Sequence, residues 1–308
     1  MEGRRDRTKD IERGMKIIAN LPDIMPDQAD ERIKPVYESI QQTLRVPIVN
    51  LIFRTLANYP DYFLHLWEQL SLKLRTKAFE QAADNLRNEA LLKPVPDVSE
   101  VDWENIHDIN KLRSFNDTIH YVLPKLLILT TAFEESTFGL DAENGSSNQI
   151  KNASEEIPLG AAKGTTKVKM IDPDKASDRV QDLFESIKES HGHPLVSSYF
   201  RGLGNWPDFL EETWNRLQPI VGTSVYEERK HKLIARAELA SQQLSFPKLK
   251  TTMLNEEQSS EVHAIIAAFR LKFIPEMLLD VALIKAMLDG SEAASSSPFS
   301  ATGAVSEQ

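Results

Sequence analysis

The sequence predicts an all-α protein built as a tandem duplication of one helical unit, an intramolecular pseudo-dimer. Three observations predict it. Among 308 residues glycine is scarce, at 12, while Leu, Ala, Glu, Lys and Gln are plentiful, a composition that favours helix. Apolar residues recur at helical spacing: in "PDQADERIKPVYESIQQTL", Ile33, Val36, Tyr37 and Ile40 stand at i, i+3, i+4 and i+7. The chain also repeats itself. Displaced by 147 positions, it matches itself at 23 of the 69 positions 24–92, where chance gives roughly four at ordinary residue frequencies.

The elements follow in order. Residues 1–19, beginning "MEGRRDRTKDIERGMK", have no apolar stretch for a signal peptide and read as a frayed polar extension. The first helical repeat takes 20–136. Within it, "NYPDYFLHLWEQL" reads as a helix start, with Asn58 as N-cap, Pro60 in the first turn and an early Asp61. Asn205, Pro207 and Asp208 repeat that start, so a shared scaffold explains them better than catalysis does. Residues 137–167, rich in Gly, Ser, Asn and Lys, read as a linker. The second repeat takes 168–290, and 291–308 read as a flexible tail. Each repeat carries a long helix-like run broken by proline, at Pro124 and Pro275. Either a kinked helix, which would put Leu123 and Ile274 at corresponding places near a cavity, or a plain helix–helix boundary fits.

Composition excludes several functions. A net charge of −10 argues against nucleic acid and against an anionic membrane surface. The longest apolar region, 262–288, carries Arg270, Lys272, Glu276, Asp280 and Lys285, which suits a buried helix and not a membrane span. The absence of cysteine removes thiol chemistry and Cys-based metal sites. It fits a reducing compartment, so a cytoplasmic location is expected. His191 and His193 form "HGH" only in the second repeat, without a third ligand nearby, and read as an exposed loop. Arg54 and Arg201, in contrast, recur in both repeats. Either could clamp a carboxylate, but a pair inside each half, with Glu38 and Glu185 or Asp61 and Asp208, is the simpler expectation.

The stretches "LRVP" (Leu44–Pro47), "EQAADNLR" (Glu80–Arg87), "DPDKASDRVQDLFESI" (Asp172–Ile187), "NWP" (Asn205–Pro207) and "LDGSEAASSSPF" (Leu288–Phe299) together resemble the group I 2-haloacid dehalogenases, the DehI family. The resemblance implies an active site between the halves and cofactor-free hydrolysis of short 2-haloalkanoic acids. In that chemistry an aspartate activates a water for direct attack on C2, and an asparagine helps to hold the water. Carried onto this chain, the aspartate position is Tyr199 and the asparagine position is Leu123. Other implied pocket positions are Ile48, Leu51, Ser198 and Phe269; of the positions that can be placed, only Ser198 keeps the family residue. A tyrosine with an ordinary pKa near 10 is a poor base at neutral pH. The expectation is therefore a dehalogenase-like hydrolase with its usual catalytic pair replaced, or else a non-catalytic helical small-molecule-binding or structural protein with an apolar pocket between the repeats. The expected partner is a small-molecule ligand or substrate, a short organic acid if the protein is active; no cofactor or metal is expected, and a homodimer is compatible with the sequence.

Overall fold

The computed structural model describes residues 7–139, 155–249, 253–303 and 305. Its regular structure there is helical, with no β-strand among the described residues beyond two isolated bridges. In chain order the helices are α1 (Arg7–Asn20), α2 (Lys34–Leu44), α3 (Leu51–Leu56), α4 (Pro60–Leu70), α5 (Lys77–Ala90) and α6 (Ile109–Phe138). Then come α7 (Asp178–His191), α8 (Ser198–Leu203), α9 (Pro207–Leu217), α10 (Ser224–Leu244), α11 (Glu256–Ala268), α12 (Ile274–Asp289) and α13 (Ser291–Ser295).

The helix bounds follow the sequence period. α3 and α8, and likewise α4 and α9, begin and end 147 residues apart; α5 and α10, and α6 and α11, begin 147 residues apart. Polar contacts recur at the same distance. Trp67 Nε1 donates to Ser39 Oγ at 2.9 Å, and Trp214 Nε1 donates to Ser186 Oγ at 2.9 Å. Arg32 pairs with Asp61, and Arg179 pairs with Asp208. Thr76 caps α5 through the Phe79 amide, and Thr223 caps α10 through the Tyr226 amide.

The core sits where α6 packs against α12. α12 is buried on every face from Ile274 to Leu288, its charged Glu276, Asp280 and Lys285 included. The two prolines resolve differently. Pro124 lies inside the continuous α6. Pro275 lies in the first turn of α12, just after a π-helical turn, Phe269–Phe273, that separates it from α11. Pro275 is tolerated because the π-helical turn before it already breaks the regular α-helical hydrogen-bond ladder.

Three expectations change. Residues 7–20 are not frayed: α1 lies along α11 so closely that a Cβ on Gly14 would fall 2.0 Å from the Ala264 carbonyl oxygen. Asn58 and Asn205 do not cap helices. Pro60 and Pro207 occupy the first turn, which places the caps at Tyr59 and Trp206. The Asn58 amide instead donates to the carbonyls of Pro22 and Thr55, and the Asn205 amide donates to those of Lys169 and Gly202. The tail is docked as far as it is described. Fully buried Arg45 donates to the carbonyls of Ser300, Ala301 and Gly303, and His120 Nε2 meets the Ala294 carbonyl at 3.0 Å. Of the expected linker, 140–154 lie outside the described residues. Residues 155–167 run along the surface of the α2–α5 region through Ile157 to Arg75, Gly160 to Gln42 and Ala162 to Arg45.

Candidate functional site

A cavity of about 400 Å³ opens among α3, α6, α8, the π-helical turn and the start of α12. That lies within the roughly 300–1,000 Å³ typical of small-molecule sites, and a sphere of this volume is about 9 Å across. All six positions named from the resemblance line it: Ile48, Leu51, Leu123, Ser198, Tyr199 and Phe269. Leu123 and Ile274, the residues before the two prolines, both line it as well.

Local structure explains how these side chains converge. The extended chain before α3 delivers Ile48 and Leu51. Ser197 caps α8 through the Phe200 amide, which sets Ser198 and Tyr199 in the first turn. The π-helical turn stacks Phe269 on Phe273, edge to face at 5.4 Å, and both reach the cavity. An inserted residue of this kind reorients side chains that an unbroken α-helix would spread around its surface.

Tyr199 is buried and stacked on Phe115 at 5.9 Å. Its hydroxyl donates to Asn116 Oδ1 at 2.6 Å. Burial, and then the Asp280 charge, push the phenol well above its ordinary pKa. It stays protonated and donates, so it is no base at neutral pH. Leu123 offers no polar atom. Asn116, two turns before Leu123 on α6, is fully buried, and its Nδ2 has no hydrogen-bond partner.

Arg54 is the buried cation of the cavity wall. Nε donates to Asp23 at 2.7 Å, Nη1 to the Val49 carbonyl at 3.2 Å, and Nη2 to Ser198 Oγ at 3.1 Å. The expected partner Glu38 or Asp61 is not used, because Asp61 is engaged by Arg32. Burial lowers the guanidinium pKa and Asp23 offsets part of that, but an arginine remains charged. Arg201, its counterpart, donates Nε to the Ile171 carbonyl and does not line the cavity.

The two histidines overturn the exposed-loop expectation. His191 closes α7 with Nε2 2.9 Å from Asp280 Oδ2, and both side chains are buried. Burial opposes the charged ring, but Asp280 outweighs it and holds the His191 pKa above its ordinary value. His193 lines the cavity with Nε2 2.8 Å from Glu276 Oε2. Lys230 and Lys272 also reach Glu276, at 2.9 and 3.2 Å. The sequence signal was there: charges inside an otherwise apolar helix must be paired, and α12 places Glu276 and Asp280 one turn apart. Among the described residues no group of three or more His, Asp or Glu is arranged to hold a metal ion. No helix there is long and apolar enough to cross a membrane.

Together these features define an all-α protein enclosing a small-molecule cavity with a buried arginine and a paired histidine on its walls. A family model described as halocarboxylic acid dehydrogenase DehI matches residues 47–198. A configuration-inverting 2-haloacid dehalogenase of Alcaligenes xylosoxydans xylosoxydans is 32% identical over 294 residues, covering 91% of this chain and 98% of that protein. One from Pseudomonas sp. (strain 113) is 32% identical over 219 residues, covering 68% and 71%. The fold matches a crystal structure of a D-2-haloacid dehalogenase mutant with a TM-score of 0.75 at 21% identity, covering 87% of this chain and 96% of that one. The chain belongs to the DehI family of 2-haloacid dehalogenases.

Proposed function

We propose that the cavity takes a short 2-substituted carboxylic acid, and that the family's aspartate-driven water attack does not operate here. The observation that carries this is Arg54. It is buried in the cavity wall, its Nη2 is directed at the Ser198 hydroxyl, and its ion-pair partner among the described residues, Asp23, is 37% exposed and so only partly neutralises it. A carboxylate entering between Arg54 and Ser198 gains charge-assisted hydrogen bonds. Leu51, Leu123 and Phe269 then face the alkyl part of the acid. Tyr199 is a hydrogen-bonded neutral phenol and Leu123 is apolar, so neither supplies the role their positions have in the family.

The cavity in this reading lies between duplicated halves, 20–136 and 168–290, that form an intramolecular pseudo-dimer. The matched helix bounds and the paired Trp–Ser and Arg–Asp contacts support that division. Loss of the family pair also favours a second reading, a binding protein without turnover; it shares the ligand and differs only in chemistry.

Calorimetry with lactate, propionate and propionamide tests the proposal. The two acids should bind and the neutral amide should not. Charge-assisted hydrogen bonds contribute about 1.5–3 kcal/mol, so Arg54→Gln should weaken acid binding about 10- to 100-fold while the thermal melt stays cooperative. Equal binding of acid and amide, or an Arg54→Gln protein that binds as before, would overturn it.

A further inference from the structure

The cavity holds a second polar pair that the family resemblance does not explain. The side chains of His193 and Glu276 are 5% and 4% exposed. Glu276 accepts from His193, Lys230 and Lys272, and the His193 hydrogen bond with the two lysine charges keeps its carboxyl ionised well below the usual range against the cost of burial. An ionised carboxylate only accepts hydrogen bonds, so His193 Nε2 carries the proton of the 2.8 Å contact. In the neutral ring the lone pair therefore lies on Nδ1, which has no hydrogen-bond partner among the described residues. The ring meets Phe273 edge to face at 4.7 Å, and Phe273 lines the same cavity. Glu276 thus fixes both the tautomer and the direction of an imidazole that lines the cavity, and Nδ1 is its proton-accepting nitrogen.

We propose that His193, oriented by Glu276, is the general base of this cavity and deprotonates a water that attacks C2 of a short 2-haloacid anion held at Arg54. This rests on the reading of the cavity given above. The base stands on a different wall from Tyr199, so the function has moved while the scaffold has stayed. In the step, Nδ1 takes one proton from water as the oxygen forms its bond to C2. The carbon–halogen bond breaks, and its electron pair leaves with the halide. The proton on Nδ1 then passes to solvent. One water is consumed, and one hydroxy acid, one halide and one proton are released.

The groups facing the ring set its titration. Burial lowers the His193 pKa, Glu276 raises it in part, and His191, stacked at 5.0 Å, and Lys272 lower it again; the net shift is downward. Lys230, Asp280 and Tyr226 act on it through Glu276 and His191. The working form is the unprotonated ring. Activity should fall as pH drops through a value below the ordinary 6.5 and should be level above it.

Halide release from both enantiomers of 2-chloropropionate and 2-bromopropionate, with lactate affinity measured in parallel, decides the matter. The intact protein should release halide. His193→Gln keeps an amide N–H for Glu276 but removes the base, and should lower the rate about 10²–10⁴-fold with lactate affinity preserved. The exposed His231→Gln should match the parent. Glu276 is a positioning residue: Glu276→Gln should move the kinetic inflection to lower pH, because an anion that raises the His193 pKa is gone. Lactate binding without halide release, release indifferent to His193→Gln, or release abolished by Tyr199→Phe instead would each overturn the base assignment and leave the cavity reading standing. Absent acid binding would overturn that reading itself.

Discussion

Tyr199 stands where the resemblance implies a carboxylate, and its surroundings fix its direction. The "NWP" that follows it starts α9, and the Ser197 cap fixes the turn that carries it. The backbone therefore still aims residue 199 at α6. A carboxylate there would need a donor; the phenol brings its own and delivers it to Asn116 Oδ1. The cost of losing that bond is predictable. Tyr199→Phe leaves a fully buried amide with no partner at either end, since Nδ2 already has none. A buried polar group left unmade costs roughly 1–3 kcal/mol, to be read as a lower urea midpoint at unchanged m-value. An unchanged midpoint would mean that Asn116 finds another partner. That residue 199 is a tyrosine where the resemblance implies an aspartate was legible in the sequence. Asn116 was not, because a partner two helical turns from the expected position is set by the packing of α8 on α6.

At the scale of elements, the repeat predicted more than the caps did. Period and amphipathicity located the paired helices, because both report which face is buried. The Asn-x-Pro starts suggested a cap and were wrong by one residue, because proline decides where a first turn begins. The duplicated tryptophans carry the strongest prediction at this scale. Trp67 and Trp214 are 4% and 1% exposed, and each packs edge to face on the phenylalanine of the preceding short helix, Phe53 or Phe200, at 6.0 and 5.9 Å. Each also spends its N–H on a serine of the helix before that. Truncation to alanine should cost about 3–5 kcal/mol at either site, and the two losses should be alike because the surroundings are. Denaturant melts of the two single variants test this; a loss at one site several times that at the other would show that the copies no longer carry equal loads. The HGH pair marks where the repeat fails. It replaces Leu44 and Val46 of the first copy, and that departure, more than any motif, is the sequence's pointer to the polar wall of the cavity.

Across the whole molecule, the described part of the C-terminal tail is held by groups that composition does not display. The tail reads as flexible because Ser and Ala dominate it, yet its acceptors are main-chain carbonyls, taken by buried Arg45 and His120. His120 links that docking to pH. Its ring is fully buried, Nε2 meets Ala294, and Nδ1 has no partner. Burial, then Arg87 and Lys285, hold its pKa well below 6.5. The folded ring thus stays neutral while the unfolded one takes up a proton, so stability falls as pH drops below about 6.5, by up to about 1.4 kcal/mol per pH unit for each such group. His193 acts with the same sign, by its lowered pKa. His191 is shifted upward, so its stabilising contribution is complete below 6.5 and is lost only as pH rises through its folded value; it adds no slope between 6.5 and 5. Urea melts of the intact protein and of His120→Gln at pH 7 and 5.5 separate these contributions, since the carboxylates are common to both. Acidification should cost the intact protein about 1 kcal/mol more than the variant, close to one proton's worth over that interval. An equal loss in both would mean that the folded ring accepts the second proton, and that the tail gives way locally to let it in.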